Sequence, residues 1–274
     1  MKNLASTPAG NAASTPEEKP RKKTLAPAVE RAIRILTLLE SAPQHRFGVS
    51  EIARTLDVPK STVLNICDAL VDGQLVRRTE DGYQLGRRLV QLGSAYVSSV
   101  HLVREFYDVC RMASPDIESM IQLAVLSDGL DVIYLARQDY NSGLQLGLRA
   151  EIGRRTPANC TGIGKALLAA LPIHELETRL AGVRTLPTLT EKSIATPGEL
   201  RERLDAIRKT GYSLDDEEVL PGVSCIARCA STLHREDGLV AVSITSRKET
   251  CTPEADEKRK KTLFQIVQAL EERL

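Results

Sequence analysis

Apolar positions recur with helical spacing in two short runs between residues 49 and 71. The first run predicts a helix over residues 49–56. Pro59 cannot continue that helix, because proline lacks a backbone donor and restricts the residue before it, so the pattern predicts a turn. The second run predicts a helix from Lys60 to about Val71. Its apolar side carries Val63, Ile66, Cys67 and Leu70.

The polar side of the second predicted helix carries the chemistry of DNA recognition. Its N-terminal half presents Lys60, Ser61, Thr62 and Asn65, and the acidic Asp68 lies a full turn later. Hydroxyl and amide groups read base edges in the major groove of DNA, and a lysine contacts phosphate. We therefore expect this side of the helix to enter the major groove.

A β-hairpin is predicted directly after this helix. The apolar runs that begin at Leu75 and Tyr83 flank Glu80-Asp-Gly, which is typical of a turn. Helix, turn, helix and hairpin together predict a winged helix-turn-helix, in which Arg77 and Arg78 are expected to meet the DNA backbone. An additional helix over residues 27–39 is expected to pack behind the other two. Its predicted buried stripe is Val29, Ala32, Ile33, Leu36 and Leu39.

A long helix is predicted to link this domain to the rest of the chain. Residues 86–114 contain no proline, and apolar residues recur every three or four positions at Leu89, Leu92, Tyr96, Val100 and Val103. One winged helix covers half of a two-fold DNA site, so we expect this seam to join two copies of the chain. The alternative is a helix that packs on the chain's own second domain.

Beyond residue 121 the period changes to that of β-strands, with helices between them. Strands are predicted near residues 122–127, 131–137, 144–149, 212–214, 224–231 and 239–246. Helices are predicted over residues 162–171, 173–180 and 197–210, and from Pro253 to the C-terminal end. The capping-box spacing of Thr196 and Glu199 marks the start of one of them. The second domain is therefore predicted to be α+β, with an antiparallel sheet.

Length, charge and cysteine usage narrow the class of protein. A chain of 274 residues suits two domains. Residues 1–88 hold 14 Lys or Arg against 10 Asp or Glu, and residues 89–274 hold 23 against 26, so the basic excess accompanies the helix-turn-helix. The six cysteines form no Cys-x-x-Cys pair, which favours reduced thiols in a cytoplasmic protein. No apolar run is long enough to span a membrane. The polar residues 1–24 are predicted to be a disordered arm.

Three stretches of the second domain have the chemistry of a small-molecule site. Residues 159–168 place small residues and Lys165 at a helix start, where free amides attract anions. A phosphate loop is not favoured there, because Asn159 and Ala166 depart from its motif. Four consecutive acids, residues 215–218, precede an apolar strand that carries Cys225. Finally, Ser243 and Thr245 share one face of a strand, where hydroxyls can bind a carboxylate.

These stretches together resemble the IclR-type bacterial transcriptional regulators, over nearly all of residues 24–274. The matching stretches are Val49-Ser-Glu-Ile-Ala, Pro59-Lys-Ser-Thr-Val, Gly164-Lys-Ala-Leu-Leu-Ala, Tyr212-Ser-Leu-Asp-Asp-Glu-Glu with Gly222-Val-Ser-Cys-Ile-Ala, and Ala241-Val-Ser-Ile. The resemblance implies a winged helix-turn-helix, a dimerising linker helix and a GAF-like effector domain. After the arm at residues 1–24, we expect these parts at residues 25–86, 87–114 and 115–274.

The resemblance also implies the partners and the site. It implies operator DNA, a small organic acid as effector, and a homodimer or a dimer of dimers, with no membrane partner. The DNA contacts would be Lys60, Ser61, Thr62, Asn65, Arg77 and Arg78. The effector contacts would be Gly162, Ile163, Asp215, Cys225, Ser243 and Thr245. Ile163 is bulkier than the small residue frequent in the family, and Asn65 stands where many members have arginine.

Two other classes of function are weighed against this hypothesis. The second domain could be an enzyme with Cys225 as nucleophile, which would need a basic neighbour such as His174 or His234. It could instead be a thiol- or metal-dependent sensor that uses Cys225, Cys229 and Cys160. Zinc usually binds more closely paired ligands, which favours core thiols. We therefore expect a regulator that is not an enzyme, with no catalytic residue, metal site or cofactor.

Overall fold

A computed structural model describes residues 26–99, 101–113, 118–140, 151–230 and 239–273. The predicted arm at residues 1–24, the predicted strand at 144–149 and His234 lie outside the described residues. The chain divides into two compact units, Met1–Ser94 and Ala95–Leu274. Each unit is described by itself below.

The first unit contains three helices and a two-stranded hairpin. These elements are α1 (Pro27–Ser41), α2 (Val49–Leu56), α3 (Lys60–Asp72), β1 (Val76–Thr79) and β2 (Gly82–Leu85). The predicted turn between α2 and α3 is confirmed. Asp57 ends α2 in the left-handed region, at φ 52°, and its amide donates to the Ala53 carbonyl. The winged helix-turn-helix is therefore present.

The buried side of α1 differs from the predicted stripe. Val29 and Ile33 are each 58% exposed, whereas Ile35 and Leu39 are almost fully buried. Both pairs have helical spacing, but only the C-terminal half of α1 contributes buried residues to the core that α2 and α3 also form. On the same helix, the Arg34 side chain donates to the Leu56 carbonyl at 2.6 Å and satisfies the C-terminal end of α2.

The hairpin is held by a third short segment that the pattern did not reveal. Thr79 pairs with Gly82, so Glu80 and Asp81 form the turn. Phe47 forms a β-bridge with Tyr83. A Cβ atom at Gly82, where φ is +148°, would lie 2.6 Å from the Phe47 carbonyl oxygen, so the bridge requires glycine there.

The predicted linker is described as two helices, α4 (Arg88–Ser99) and α5 (His101–Ala113), with Val100 outside the described residues. The predicted apolar seam is partly exposed and partly buried. Leu92 and Tyr96 on α4 are each 51% exposed, whereas Val103 on α5 is buried in the core of the second unit. The intramolecular alternative therefore holds for α5. Among the seam residues that the structure describes, the exposed ones lie on α4.

The second unit is built on a six-stranded antiparallel sheet in the order β5-β4-β3-β8-β7-β6. Its strands are β3 (Ser119–Leu126), β4 (Asp131–Tyr140), β5 (Arg155–Pro157), β6 (Ser213–Asp216), β7 (Val223–Ala230) and β8 (Val240–Arg247). The short strand β5 and the 3-10 turn Ala158–Cys160 that follows it were not predicted.

Helices cover both faces of this sheet. The remaining helices are α6 (Gly162–Ala170), α7 (Ile173–Leu180), α8 (Pro197–Thr210) and α9 (Pro253–Glu271). Helices α6, α7 and α8 share one core with Cys225, Ala227 and Ala241, whereas α5 and α9 share the other with Ile226 and Val242. Side chains of alternate residues on one strand thus enter different cores. The predicted α+β class is correct. No described helix has the length and apolar character that a membrane span requires.

Candidate functional site

In the first unit, the polar side of α3 is exposed. Lys60, Ser61 and Asn65 are exposed, Thr62 is half-buried, and Val63 and Cys67 on the opposite side are buried. Pro59 precedes the helix and supplies no capping side chain, so the first-turn amides of α3 remain for solvent or an anion. This surface combines base-reading and phosphate-binding groups on one helix.

The two arginines of the hairpin occupy different environments. Arg77 lies opposite Gln84 and donates to its Oε1 at 2.8 Å, whereas Arg78 lies over the Tyr83 ring at 5.8 Å. Consecutive residues of a strand point to opposite faces. Arg77 and Arg78 therefore do not share one face of the hairpin, although both are exposed.

A cavity lies in the second unit between α6, the sheet and the turn after β6. Its lining residues are Gln122, Tyr134, Thr161, Gly162, Ile163, Asp215, Val219, Leu220, Val223, Cys225 and Thr245. The empty volume is about 410 Å³, part of which is open to solvent. This lining includes five of the six effector residues expected from the resemblance. Ser243 is not among them.

The N-terminus of α6 forms the polar end of this cavity. Thr161 caps the helix, and its Oγ1 accepts the Gly164 amide at 2.8 Å. The first amides of a helix have no intrahelical acceptor, so those of Gly162 and Ile163 remain for a ligand. The helix dipole adds a partial positive charge at the same point.

Two glycines of α6 serve different purposes. A Cβ atom at Gly162 would lie 3.1 Å from Cys225 Sγ, beside the cavity. A Cβ atom at Gly164 would lie 2.4 Å from the backbone of Ala158 and 2.5 Å from Oγ1 of the capping residue Thr161. Gly164 is thus required for packing of α6 on the preceding turn, whereas Gly162 leaves space beside Cys225.

The predicted cation of this site has a different role. Lys165 is completely buried, forms an ion pair with Glu218 and does not line the cavity. Glu218 is anchored further, because Ser193 Oγ donates to its carbonyl at 2.7 Å. The expectation that Lys165 adds charge at the helix start is therefore wrong. Its charge is matched by an acid of the turn after β6.

The acidic run divides between solvent and interior. Asp216 pairs with Lys248 at 2.6 Å and Glu217 pairs with Lys192, both near the surface. Asp215 points inward, where its Oδ1 accepts the Glu218 amide at 2.7 Å. Burial raises the pKa of Asp215 from 3.8 to about 7, although the charge of Lys165 and the hydrogen bond from the Glu218 amide oppose that shift.

The floor of the cavity carries hydroxyl, amide and thiol groups from the sheet. Cys225 on β7 pairs with Thr245 on β8, and Thr245 Oγ1 donates to Gln122 Oε1 at 3.3 Å. Gln122 Nε2 and Ser243 Oγ are buried without a hydrogen-bond partner among the described residues. Gln122 lines the cavity, so its amide offers a donor to a ligand.

Sequence reasoning missed several lining residues. Gln122 is a polar residue on an otherwise apolar strand, and Thr161 is a capping residue in front of a helix, so both carried a signal. Val219, Leu220 and Val223 carried none, because apolar residues after an acidic run give no indication of which cavity they line.

Two family profiles match the chain, one in its N-terminal part and one in its C-terminal part. The profile of the IclR helix-turn-helix domain matches residues 28–80, and that of the bacterial transcriptional regulator IclR C-terminal domain matches residues 94–272. The chain belongs to the IclR family. Proteins of this family are DNA-binding transcriptional regulators with a C-terminal effector domain.

Individual IclR-family proteins resemble the chain over most of its length. It is 30% identical over 247 residues to the HTH-type transcriptional repressor AllR of Klebsiella pneumoniae, covering 87% of this chain and 86% of that protein. The IclR transcriptional regulator structure from Alicyclobacillus acidocaldarius has a TM-score of 0.73 at 21% identity, covering 90% and 98%. An IclR homolog from Microbacterium hydrocarbonoxydans, crystallised with 4-hydroxybenzoate, has a TM-score of 0.65 at 21% identity, covering 89% and 99%.

The thiols of this IclR-family protein are poorly suited to catalysis. Burial raises the pKa of Cys225 to about 12, and the nearby Asp215 adds to that shift, so the nucleophilic thiolate is disfavoured. Burial also raises the pKa of Cys229 to about 12. Within the described ranges, no three His, Cys, Asp or Glu side chains are placed to hold a metal ion.

Replacing Gly164 by alanine should destabilise the second unit by about 3 kcal/mol, because the new methyl group meets backbone that cannot move independently. Gly198→Ala, at the start of α8, is the matched control. Its methyl group would lie 4.0 Å from Thr196 Oγ1, and alanine is the better helix former. Urea denaturation measures both variants, and equal stabilities would contradict the packing role of Gly164.

The buried Asp215 makes stability depend on pH. Its pKa is higher in the folded than in the unfolded chain, so its contribution favours folding at low pH and is lost as pH rises from about 4 to 7. Asp215→Asn should therefore stabilise the protein more at pH 8 than at pH 5. The gain is at most about 4 kcal/mol, since one pKa unit equals about 1.4 kcal/mol. Urea denaturation at both pH values tests this, and a pH-independent difference would contradict it.

Proposed function

We propose that the protein is a ligand-responsive transcriptional regulator, in which α3 reads operator DNA and the cavity of the second unit binds a small carboxylic acid. The cavity carries this proposal. It joins the free amides of Gly162 and Ile163 to the side-chain amide of Gln122, which the Thr245 hydroxyl orients by donating to Oε1. Donors that converge from a helix N-terminus and a sheet suit a carboxylate.

The remaining lining favours an acid with an apolar body. Ile163, Val219, Leu220 and Val223 form the apolar part of the cavity. Asp215 is compatible with a bound carboxylate when it is protonated, because it then donates a hydrogen bond instead of repelling the ligand. The 4-hydroxybenzoate of the Microbacterium protein is an acid of this class. Cys225 and the buried Ser243 complete the proposed site.

Binding of such an acid requires the cavity to widen. Although the empty volume includes open solvent, the cavity itself measures only about 30 Å³, which is enough for about two waters. An aromatic or sugar acid is larger. Ile163 and the apolar residues of the turn after β6 must therefore move when the ligand enters. This movement is the conformational change that the effector would stabilise.

On the DNA side, we assign base recognition to Asn65, Ser61 and Thr62, and phosphate contact to Lys60. Arg77 and Arg78 would contact phosphate from different faces of the hairpin. The linker at residues 87–114 would join two copies through the exposed side of α4, where Val90, Leu92 and Tyr96 lie bare. A homodimer or dimer of dimers then presents two recognition helices, and the effector shifts the balance between its arrangements.

The effector hypothesis predicts that small carboxylic acids, such as 4-hydroxybenzoate, raise the thermal stability of the protein and change its affinity for promoter DNA. Thr245→Val should weaken binding of the acid about tenfold, because the hydrogen bond that orients the Gln122 amide toward the ligand is lost. Thr178→Val is the control, since Thr178 is exposed on α7 and donates to His174. Calorimetry and fluorescence anisotropy measure the two affinities. If both variants lose affinity for the acid equally, the cavity is not the binding site. If the acid leaves the affinity for DNA unchanged, it does not regulate DNA binding.

The DNA hypothesis predicts different effects for two kinds of contact. Asn65→Ala should relax the preference for one base pair by about 1–3 kcal/mol. Arg77→Ala should weaken binding to all sequences and reduce the salt slope by about 1. Arg201→Ala, which removes a pair with Glu177 in the second unit, is the control. Salt titrations on operator and random duplexes measure these effects. An unchanged base preference in Asn65→Ala would refute the proposed recognition side.

A further inference from the structure

Three buried serines form a row on the side of the sheet opposite the cavity. Ser246 on β8 pairs with Ser224 on β7, and Ser119 lies one position beyond the Met120–Thr245 pair of β3 and β8. All three serines are at least 94% buried. Their neighbours in sequence face the cavity side, so the serine hydroxyls face the layer that contains α9.

The side chain of Arg259 enters the same layer from α9. It is 96% buried, and Nη2 pairs with Asp256. Its Nε and Nη1 have no acceptor within the part of the chain that the structure describes, and neither does Ser119 Oγ. A buried guanidinium with unpaired N–H groups is costly, so its natural complement is an anion that accepts these hydrogen bonds.

A solvent-accessible groove leads to this arginine. It is lined by Glu118, Ser246, Thr250, Thr252, Glu254, Ala255, Lys258 and Arg259, and its empty volume is about 840 Å³. The groove lies at the N-terminus of α9, a helix of 19 residues that Thr252 caps. The helix dipole therefore adds positive potential beside the unpaired N–H groups of Arg259.

We propose that this groove is a second anion site, which binds a small oxyanion, either a carboxylate or a phosphate group, through Arg259 and Ser246. The acids Glu118 and Glu254 at the same groove limit the charge that it accepts, so a small anion of low charge fits best. The site differs from the effector cavity in residues and in position. Thr245 lines the cavity, whereas the next residue, Ser246, lines the groove on the other face of the sheet.

The back-to-back arrangement gives the groove a means of influencing the cavity. Cys225 and Thr245 line the cavity, and the adjacent residues Ser224 and Ser246 belong to the serine row on the same two strands. An anion that orders these strands from one face restricts them on the other. The two sites would then be linked through strand position, with no direct contact between their ligands.

Calorimetric titration of the full-length protein with sodium phosphate and, separately, sodium acetate tests the proposal, with sodium chloride at equal ionic strength as the reference. We expect saturable binding of one or both oxyanions and none of chloride. Arg259→Gln should weaken binding at least tenfold, and Ser246→Ala should weaken it about threefold. Lys261→Gln, which changes an exposed cation on the same helix, should leave it unchanged.

The phosphate and acetate arms distinguish the two sources of an oxyanion. If Arg259→Gln does not fold, Ser246→Ala and Lys261→Gln still separate a built site from general attraction to the helix. The proposal is overturned if neither oxyanion binds. It is also overturned if Ser246→Ala binds the anion as tightly as the control Lys261→Gln does. It is equally overturned if Thr245→Val abolishes the heat, because the anion would then occupy the effector cavity.

Discussion

The sheet of the second unit is covered by helices on both faces, and this constraint determines where the chemistry of that unit can lie. Most residues of β3, β7 and β8 enter one of two buried layers. A polar residue in either layer is removed from bulk water and needs a partner. Gln122 and Thr245 partially satisfy each other, whereas the hydroxyls of Ser243 and Ser119 have no partner in the described ranges of the chain. Polar groups in such a sheet mark places where something else is expected to bind.

The two units solve opposite problems with the same elements. In the first unit, α3 buries Val63, Cys67 and Leu70, so the polar side that we propose for DNA recognition lies on the outside of the helix. In the second unit, eight of the nine residues of α6 are buried, so only its N-terminal end can offer polar groups to a ligand. An exposed helix side suits a duplex, whereas an enclosed helix end suits a small anion.

Local signals predicted most of the fold. The capping-box spacing of Thr196 and Glu199 located the start of α8 at Pro197. In α9, Leu263, Ile266 and Leu270 have helical spacing and all three are buried. These features depend on neighbours in sequence. The stripe of α1 was predicted correctly at Ala32, Leu36 and Leu39 but incorrectly at Val29 and Ile33, because a stripe with Ile33 and one with Ile35 satisfy the same period. Only contact with the other helices selects between them.

The parts of the site that could not be predicted depend on long-range register. Gln122 meets Thr245 because strands β3 and β8 pair in one particular register, although 123 residues separate them. Lys165 has the spacing of an anion ligand, yet the turn after β6 brings Glu218 to it. Whether a charge is available to a ligand or already neutralised depends on this tertiary contact, which periodicity does not contain.

The buried pair of Lys165 and Glu218 has a kinetic consequence. The turn that carries Glu218 also carries Val219 and Leu220, which enclose the cavity. An outward movement of this turn that separated Lys165 from Glu218 would break a buried ion pair, which costs free energy. Access therefore requires either a rare excursion or a movement that preserves the pair. For the effector that we propose, enclosure in this cavity implies a long residence time, which would outlast a brief fall in its concentration.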